Sequence, residues 1–192
     1  MNLYDMLKFL HIITVVFMAA PLYNLVVVNE RLRFGKAHVQ VDQYFEAIIR
    51  GNSARCYVFQ VTALVTGVWL VVQAGPLSVL ISNRMLLAKL VLLLALTALL
   101  SIVHFTIQPR IDRLLAQASG DTIPAAVAAQ IAPWRLRRKR LASVCLFLVI
   151  TTVLLGLQVF RPFAVWMTVL LLILAGLFAW RVYRTPIRYG WM

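Results

Sequence analysis

The sequence predicts an all-α fold, a polytopic bundle of five transmembrane helices with the N-terminus outside and the C-terminus in the cytoplasm. Of the 192 residues, 62% are hydrophobic and only 13% are charged. Soluble domains are nearer half apolar and a quarter charged. Several apolar stretches reach the length of roughly 20 residues that a helix needs to cross a bilayer. The 19 basic residues, against 6 acidic ones, collect between those stretches.

The predicted spans form one transmembrane domain that covers the whole chain. They cover residues 7–28, 57–74, 85–107, 141–160 and 163–180, and they leave cytoplasmic loops at 29–56 and 108–140. Gly75–Pro76 ends the second span, and Ser82 or Asn83 caps the third. Pro109 ends or kinks the third span. Arg161–Pro162 makes the turn between the last two spans so short that they must be antiparallel neighbours.

The first loop contains a short amphipathic helix, Val39–Ile49, that we expect to lie against the membrane surface or a partner. Its apolar residues share one side, and they are Tyr44, Phe45, Ile48 and Ile49. Asp42 and Glu46 fall between them. Asn52–Ser53 then caps the second span. The second loop continues the helical stripe past Pro109 and starts a short alanine-rich helix near Pro124.

The basic residues predict the orientation of the chain in the membrane. The two cytoplasmic loops and the C-terminal tail hold fifteen of the 19 lysines and arginines, and the other side holds three. A run of basic residues follows Trp134 and predicts a site for anionic lipids; it consists of Arg135, Arg137, Arg138, Lys139 and Arg140. The alternative is that this run only stops the fourth helix and sets the topology. A bacterial inner-membrane protein that binds no nucleic acid fits this distribution.

Three ionisable residues lie inside the predicted spans, where such groups are functional candidates. They are His11, Lys89 and His104. At 1.5 Å per residue, His11 lies about 9 Å and Lys89 about 7–8 Å from the outer face, so the two can meet at one level. His104 lies roughly 22 Å deeper than Lys89 and belongs to the cytoplasmic side. The acidic residues all fall at span ends or in loops, which makes a proton pump built on buried carboxylates improbable.

These depths restrict how the chain could bind haem, because two histidines on one iron must share a depth. His11 and His104 do not. A five-coordinate haem on His11, a His11–Lys89 pairing around iron or a haem propionate, and a second ligand from another subunit all remain open. So do the structural alternatives, in which the histidines bond to backbone carbonyls and Lys89 extends to the nearby interface.

The first and third spans resemble a group of small bacterial membrane proteins. Lys8–Ile13, followed by an alanine-rich stretch and Leu22–Tyr23, is similar to the opening of HemJ-type protoporphyrinogen oxidases, copper-resistance D-type proteins and a related uncharacterised family. Leu87–Leu92 is similar to the later helix that carries a lysine in that group. The resemblance implies a bundle that holds haem b, with His11 as ligand and Lys89 nearby. Phe17–Met18 and Asn24 depart from the HemJ pattern, which favours the uncharacterised branch.

Two functions therefore stand as hypotheses, and whether the protein is an enzyme stays open. The first is a haem-binding or redox membrane protein that acts through His11 and Lys89, with His104 as a further candidate. The second is a non-catalytic accessory subunit of a larger membrane complex, which contacts other membrane subunits or further copies of itself through its smooth apolar fifth span.

Overall fold

A computed structural model describes residues 2–28, 39–118, 122–159 and 162–184, without the side chains of 20–28 and 41. Helices are the only regular secondary structure among these residues. The helices are α1 (Leu3–Val28), α2 (Val39–Ala74), α3 (Val79–Ser82), α4 (Arg84–Ile102), α5 (Gln108–Leu115), α6 (Ala125–Gln158) and α7 (Val165–Arg184), with a π-helical turn, Val103–Ile107, between α4 and α5. The predicted all-α class is confirmed.

Four helices of the described part are long and apolar enough to cross a membrane, as a multi-pass membrane protein requires. They cover Asp42–Ala74, Arg84–Leu115, Ala125–Gln158 and Val165–Arg184. These helices contain the second and third predicted spans and most of the fourth and fifth. The first predicted span lies within α1, a helix of 26 residues. The number of five spans and the orientation of the termini stay predictions.

Helix α2 runs without a break from Val39 to Ala74, so the predicted separation of an amphipathic helix from the second span is wrong. Asn52 and Ser53 lie inside the helix, and the Ser53 hydroxyl donates to the carbonyl of Ile49 at 3.2 Å instead of capping a new helix. The buried face of this segment also differs from the expected one. It includes Asp42 and Glu46, whereas Tyr44 is 65% exposed.

The predicted cap at the start of the third span is confirmed, but the helix continues beyond its predicted end at Pro109. Asn83 caps α4, because its side chain accepts hydrogen bonds from the amides of Met85 at 2.9 Å and Leu86 at 3.3 Å. Pro109 does not end the helix. The π-helical turn just before it shifts the hydrogen-bond register, and α5 continues the same rod with proline in its first turn.

Helix α6 joins two elements that were expected to be separate. The alanine-rich segment and the fourth span form one helix of 34 residues, with Pro133 inside it. It packs antiparallel to α7, as predicted. The Thr168 hydroxyl donates to the Gln158 side chain at 3.0 Å near one end, and the Arg140 guanidinium lies 5.2 Å from the ring of Tyr183 near the other. Arg161 of the predicted turn lies outside the described residues.

Two apolar clusters hold the bundle together. One lies between α1, α4 and α6 and consists of Met18, Leu96, Cys145 and Val149. The other fastens α5 to the start of α6 and consists of Ile107, Ile111, Leu115 and Ile131. The second cluster confirms that the apolar stripe continues past Pro109. Cys56 and Cys145 are free thiols, and both are buried.

Candidate polar site in the helix bundle

His11 on α1 is bound to α2 through Thr66. The His11 Nδ1 atom lies 2.9 Å from the Thr66 hydroxyl oxygen, and that hydroxyl lies 2.6 Å from the carbonyl oxygen of Thr62. A threonine hydroxyl has one proton to donate. Because the shorter contact to the Thr62 carbonyl uses that proton, we assign Nδ1 of His11 as the donor to Thr66. Nε2 of the neutral ring then carries the lone pair, which is the form that binds metals.

A glycine makes room for the His11 ring, and another glycine lies beside the end of Lys89. A Cβ atom at Gly67 of α2 would lie 3.2 Å from Cε1 of His11, closer than ordinary van der Waals contact. A Cβ at Gly156 of α6 would lie 3.5 Å from Nζ of Lys89. The imidazole therefore packs directly on the backbone of α2, and the Lys89 ammonium approaches the backbone of α6.

His11 and Lys89 lie near enough to each other for the charge of Lys89 to act on the imidazole. His11 of α1 contacts Thr66 and approaches Gly67 of α2. Lys89 of α4 approaches Gly156 of α6. Within the described part of the chain, no carboxylate forms an ion pair with Lys89. We call this group of His11, Thr66, Gly67, Lys89 and Gly156 the His–Lys site.

The structure does not bring His104 to the His–Lys site. His104 lies in the π-helical turn and packs edge to face against Tyr57, at 5.9 Å between ring centroids, and against Phe105, at 4.8 Å. Its Nδ1 atom is buried and has no hydrogen-bond partner among the described residues. Tyr57 in turn shares a hydrogen bond of 2.8 Å with Ser101. His104 is thus part of the α2–α4 packing, at a distance along the bundle from His11.

A second polar assembly joins α2, α5 and α6 where α6 enters the predicted membrane span. Glu46 accepts two bonds from Arg138, at 2.5 and 3.1 Å, and one from Gln108 at 3.1 Å. Arg135 forms ion pairs with Asp42 and, at 2.9 Å, with Glu46. These five side chains are almost completely buried. We call them the buried ion-pair cluster. The sequence shows these charged residues, but no pattern in it indicates which of them form pairs.

The cluster changes which residues of the predicted lipid-binding run are accessible. Arg135, Arg138 and Lys139 are buried, and the first two turn their guanidinium groups toward Asp42 and Glu46. Arg137 and Arg140 are exposed. Lipid binding by the run stays a prediction.

A bound haem would need an imidazole for its iron and a cation for its propionates, and His11 and Lys89 are the residues of the His–Lys site that could supply these groups. The described residues contain no group of three or more histidine, cysteine, aspartate or glutamate side chains that could hold a metal ion by themselves. Comparisons with protein-family models, curated proteins and solved structures found no match.

Proposed function

We propose that the protein is a multi-pass protein of the bacterial inner membrane that binds haem b through His11 and serves membrane redox chemistry. The single observation that supports this proposal best is that His11 and Lys89, two ionisable residues inside predicted spans, lie near enough to each other to interact electrostatically. Ionisable side chains are costly inside a membrane and are retained there mainly for function. Bound haem would supply a centre that accepts and donates one electron at a time.

The residues of the site have separate roles in this proposal. His11 would hold the iron of a bound haem through Nε2, because Nδ1 is assigned as the donor to Thr66. Lys89 forms no ion pair with a carboxylate among the described residues. Its positive charge could therefore pair with an anionic group of the ligand or stabilise the reduced form of the bound group. Because Gly67 and Gly156 have no side chains, the backbone of α2 can approach His11 and the backbone of α6 can approach Lys89. His104 takes no part, since it lies with Tyr57 and Phe105.

The visible absorption spectrum of the protein tests this proposal. The full chain is produced with a haem supply, purified in detergent and compared with His11→Ala and His104→Ala. We expect a Soret band that is lost in His11→Ala and kept in His104→Ala, the matched control that removes a second intramembrane imidazole. A colourless wild-type protein that also takes up no haem on reconstitution would refute haem binding.

The accessory-subunit function remains the second candidate because of α7. Of the residues of this helix, only Ala175 and Ala179 are buried. Large apolar side chains cover the rest of its length, among them Trp166, Leu170, Leu174 and Phe178. This surface fits lipid or another membrane subunit, including a second copy of the chain. A colourless preparation that co-purifies with larger subunits in a fixed ratio would favour this function over the first.

The proposed orientation has its own test. A reporter enzyme fused after the last residue should be active only on the cytoplasmic side. Activity on the periplasmic side would mean that the chain crosses the membrane an even number of times, given an N-terminus outside.

A further inference from the structure

Two arginines and two aromatic rings form a continuous stack where α6 and α7 lie side by side. The Arg140 guanidinium lies 5.2 Å from the ring centroid of Tyr183. Tyr183 stacks on Trp180 with the rings 5.7 Å apart and 1° from parallel. The Arg184 guanidinium lies 4.7 Å from the Trp180 ring. We call these four residues the arginine–aromatic stack.

The stack fixes both guanidinium groups in place and leaves their hydrogen-bond donors available. A guanidinium that lies on an aromatic ring uses its flat face, whereas its five N–H groups point outward in its plane. Among the described residues, neither Arg140 nor Arg184 forms an ion pair with a carboxylate. By contrast, Arg135 and Arg138, which lie about one helical turn or less from Arg140, form ion pairs with Asp42 and Glu46. The stack therefore presents positive charge that no acid of the described chain neutralises.

The surface next to the stack changes from charged to apolar along one face of α7. Arg184, Trp180, Leu177 and Ile173 follow each other at intervals of four, three and four residues, which places them on one side of the helix. Trp180, Leu177 and Ile173 are each at least half exposed. A molecule that binds along this face meets a guanidinium first, then an indole, then aliphatic side chains. Tryptophan and tyrosine commonly mark the level of lipid headgroups.

We propose that the arginine–aromatic stack binds the phosphate group of an anionic phospholipid, whose acyl chain lies along Leu177 and Ile173. The order of groups on α7 matches that of a phospholipid from phosphate to hydrocarbon. Arginine suits phosphate because its planar fork donates two parallel hydrogen bonds. This site is separate from the His–Lys site and does not depend on haem binding.

Lipid binding to charge-matched variants tests the proposal. Wild type, Arg140→Gln and Arg137→Gln are purified as full chains in detergent and titrated with phosphatidylglycerol or phosphatidylethanolamine, and native mass spectrometry counts the bound lipids. One basic residue near a membrane surface contributes about fivefold in affinity for anionic lipid. We expect Arg140→Gln to lose about that factor for phosphatidylglycerol, and Arg137→Gln, which removes the same charge at an exposed position outside the stack, to stay within about twofold.

A variant that keeps every charge shows whether lipid binds at the stack itself or is attracted only by the total positive charge of this surface. Tyr183→Leu removes the ring beneath Arg140, so we expect a loss similar to that of Arg140→Gln. If Tyr183→Leu does not fold, Trp180→Leu serves in its place, because it removes the ring beneath Arg184 and also keeps every charge; it should show the same loss. Equal losses in Arg137→Gln and Arg140→Gln, or full binding by Tyr183→Leu, would overturn the proposal.

The source of the phosphate is distinguished by competition. Inorganic phosphate should not displace phosphatidylglycerol at millimolar concentration, because it lacks the acyl chain that contacts Leu177 and Ile173. Displacement at that concentration would show that a free phosphate is the ligand and would overturn the assignment to a lipid.

Discussion

The buried ion-pair cluster leads to a quantitative prediction for Glu46→Gln. This change keeps the shape of the side chain and removes its charge. Glu46 accepts hydrogen bonds from Arg138 at 2.5 and 3.1 Å and pairs with Arg135 at 2.9 Å. Asp42 still neutralises Arg135 in the variant, but Arg138 keeps only neutral acceptors, the new amide oxygen at position 46 and the side-chain oxygen of Gln108 at 2.7 Å. One buried arginine therefore loses its carboxylate.

Two independent estimates give the size of this loss. Unit charges about 4 Å apart interact by about 4 kcal/mol at an effective dielectric constant of 20. Removal of one partner of a buried ion pair costs about 3–5 kcal/mol in measured cases. The retained hydrogen bonds to the glutamine amide offset a part of this, so we expect the free energy of unfolding to fall by about 3 kcal/mol.

The matched control is Arg50→Gln. Arg50 pairs with Asp112 at 2.9 Å, but its side chain is 56% exposed, and exposed pairs contribute about 0–1 kcal/mol. Reversible unfolding in mixed micelles, followed by tryptophan fluorescence, compares the three proteins. A loss below about 1 kcal/mol for Glu46→Gln, or equal losses in both variants, would refute the reasoning that burial makes this cluster strong.

Further predictions concern single side chains whose contacts are defined. Asn83→Ala should lower the free energy of unfolding by about 1 kcal/mol, because the amides of Met85 and Leu86 lose their acceptor; no change in chemical denaturation would contradict the cap. Gly67→Ala should destabilise the protein more than Gly156→Ala does, since a methyl group at Gly67 would meet the His11 ring at 3.2 Å and one at Gly156 would meet the flexible end of Lys89 at 3.5 Å; equal melting temperatures would argue against the close approach of the imidazole. Cys56 and Cys145 should react with a water-soluble maleimide only after denaturation, because both are buried, and rapid labelling of the folded protein would contradict that burial.

The sequence was sufficient for the helical class and for the features that depend on local chemistry. Asn83, Gly75 and the apolar stripe past Pro109 act through neighbours in the chain, so their effects were predictable. The continuity of α2 was not, because Gly51 and Asn52–Ser53 are typical of a helix boundary when they stand alone. Packing of this segment against α6 stabilises the helical form there, and its tertiary contacts outweigh the local preference.

The buried ion-pair cluster shows the same limit for charges. Asp42 and Glu46 looked like the solvent side of an amphipathic helix, because a pattern that counts only polarity places carboxylates outward. Their partners Arg135 and Arg138 lie about ninety residues away in the chain, and only the packing of α2 on α6 reveals the pairing. The His–Lys site was more accessible to prediction, since depth in a membrane follows from simple counting along each span. Helix rotation does not follow from it, so Thr66, Gly67 and Gly156 emerged only from the structure.

The unbroken course of α2 links two places that otherwise have nothing in common. Glu46 and Thr66 lie on this one rod, about 30 Å apart at the rise of a regular helix. A rigid helix carries both residues, so a ligand on His11 that displaced Thr66 along the helix axis would also displace Glu46 and Asp42. The ion pairs would then resist that displacement, and weakening them would change the affinity for such a ligand. By linkage, the ligand would change the strength of the ion pairs by the same free energy.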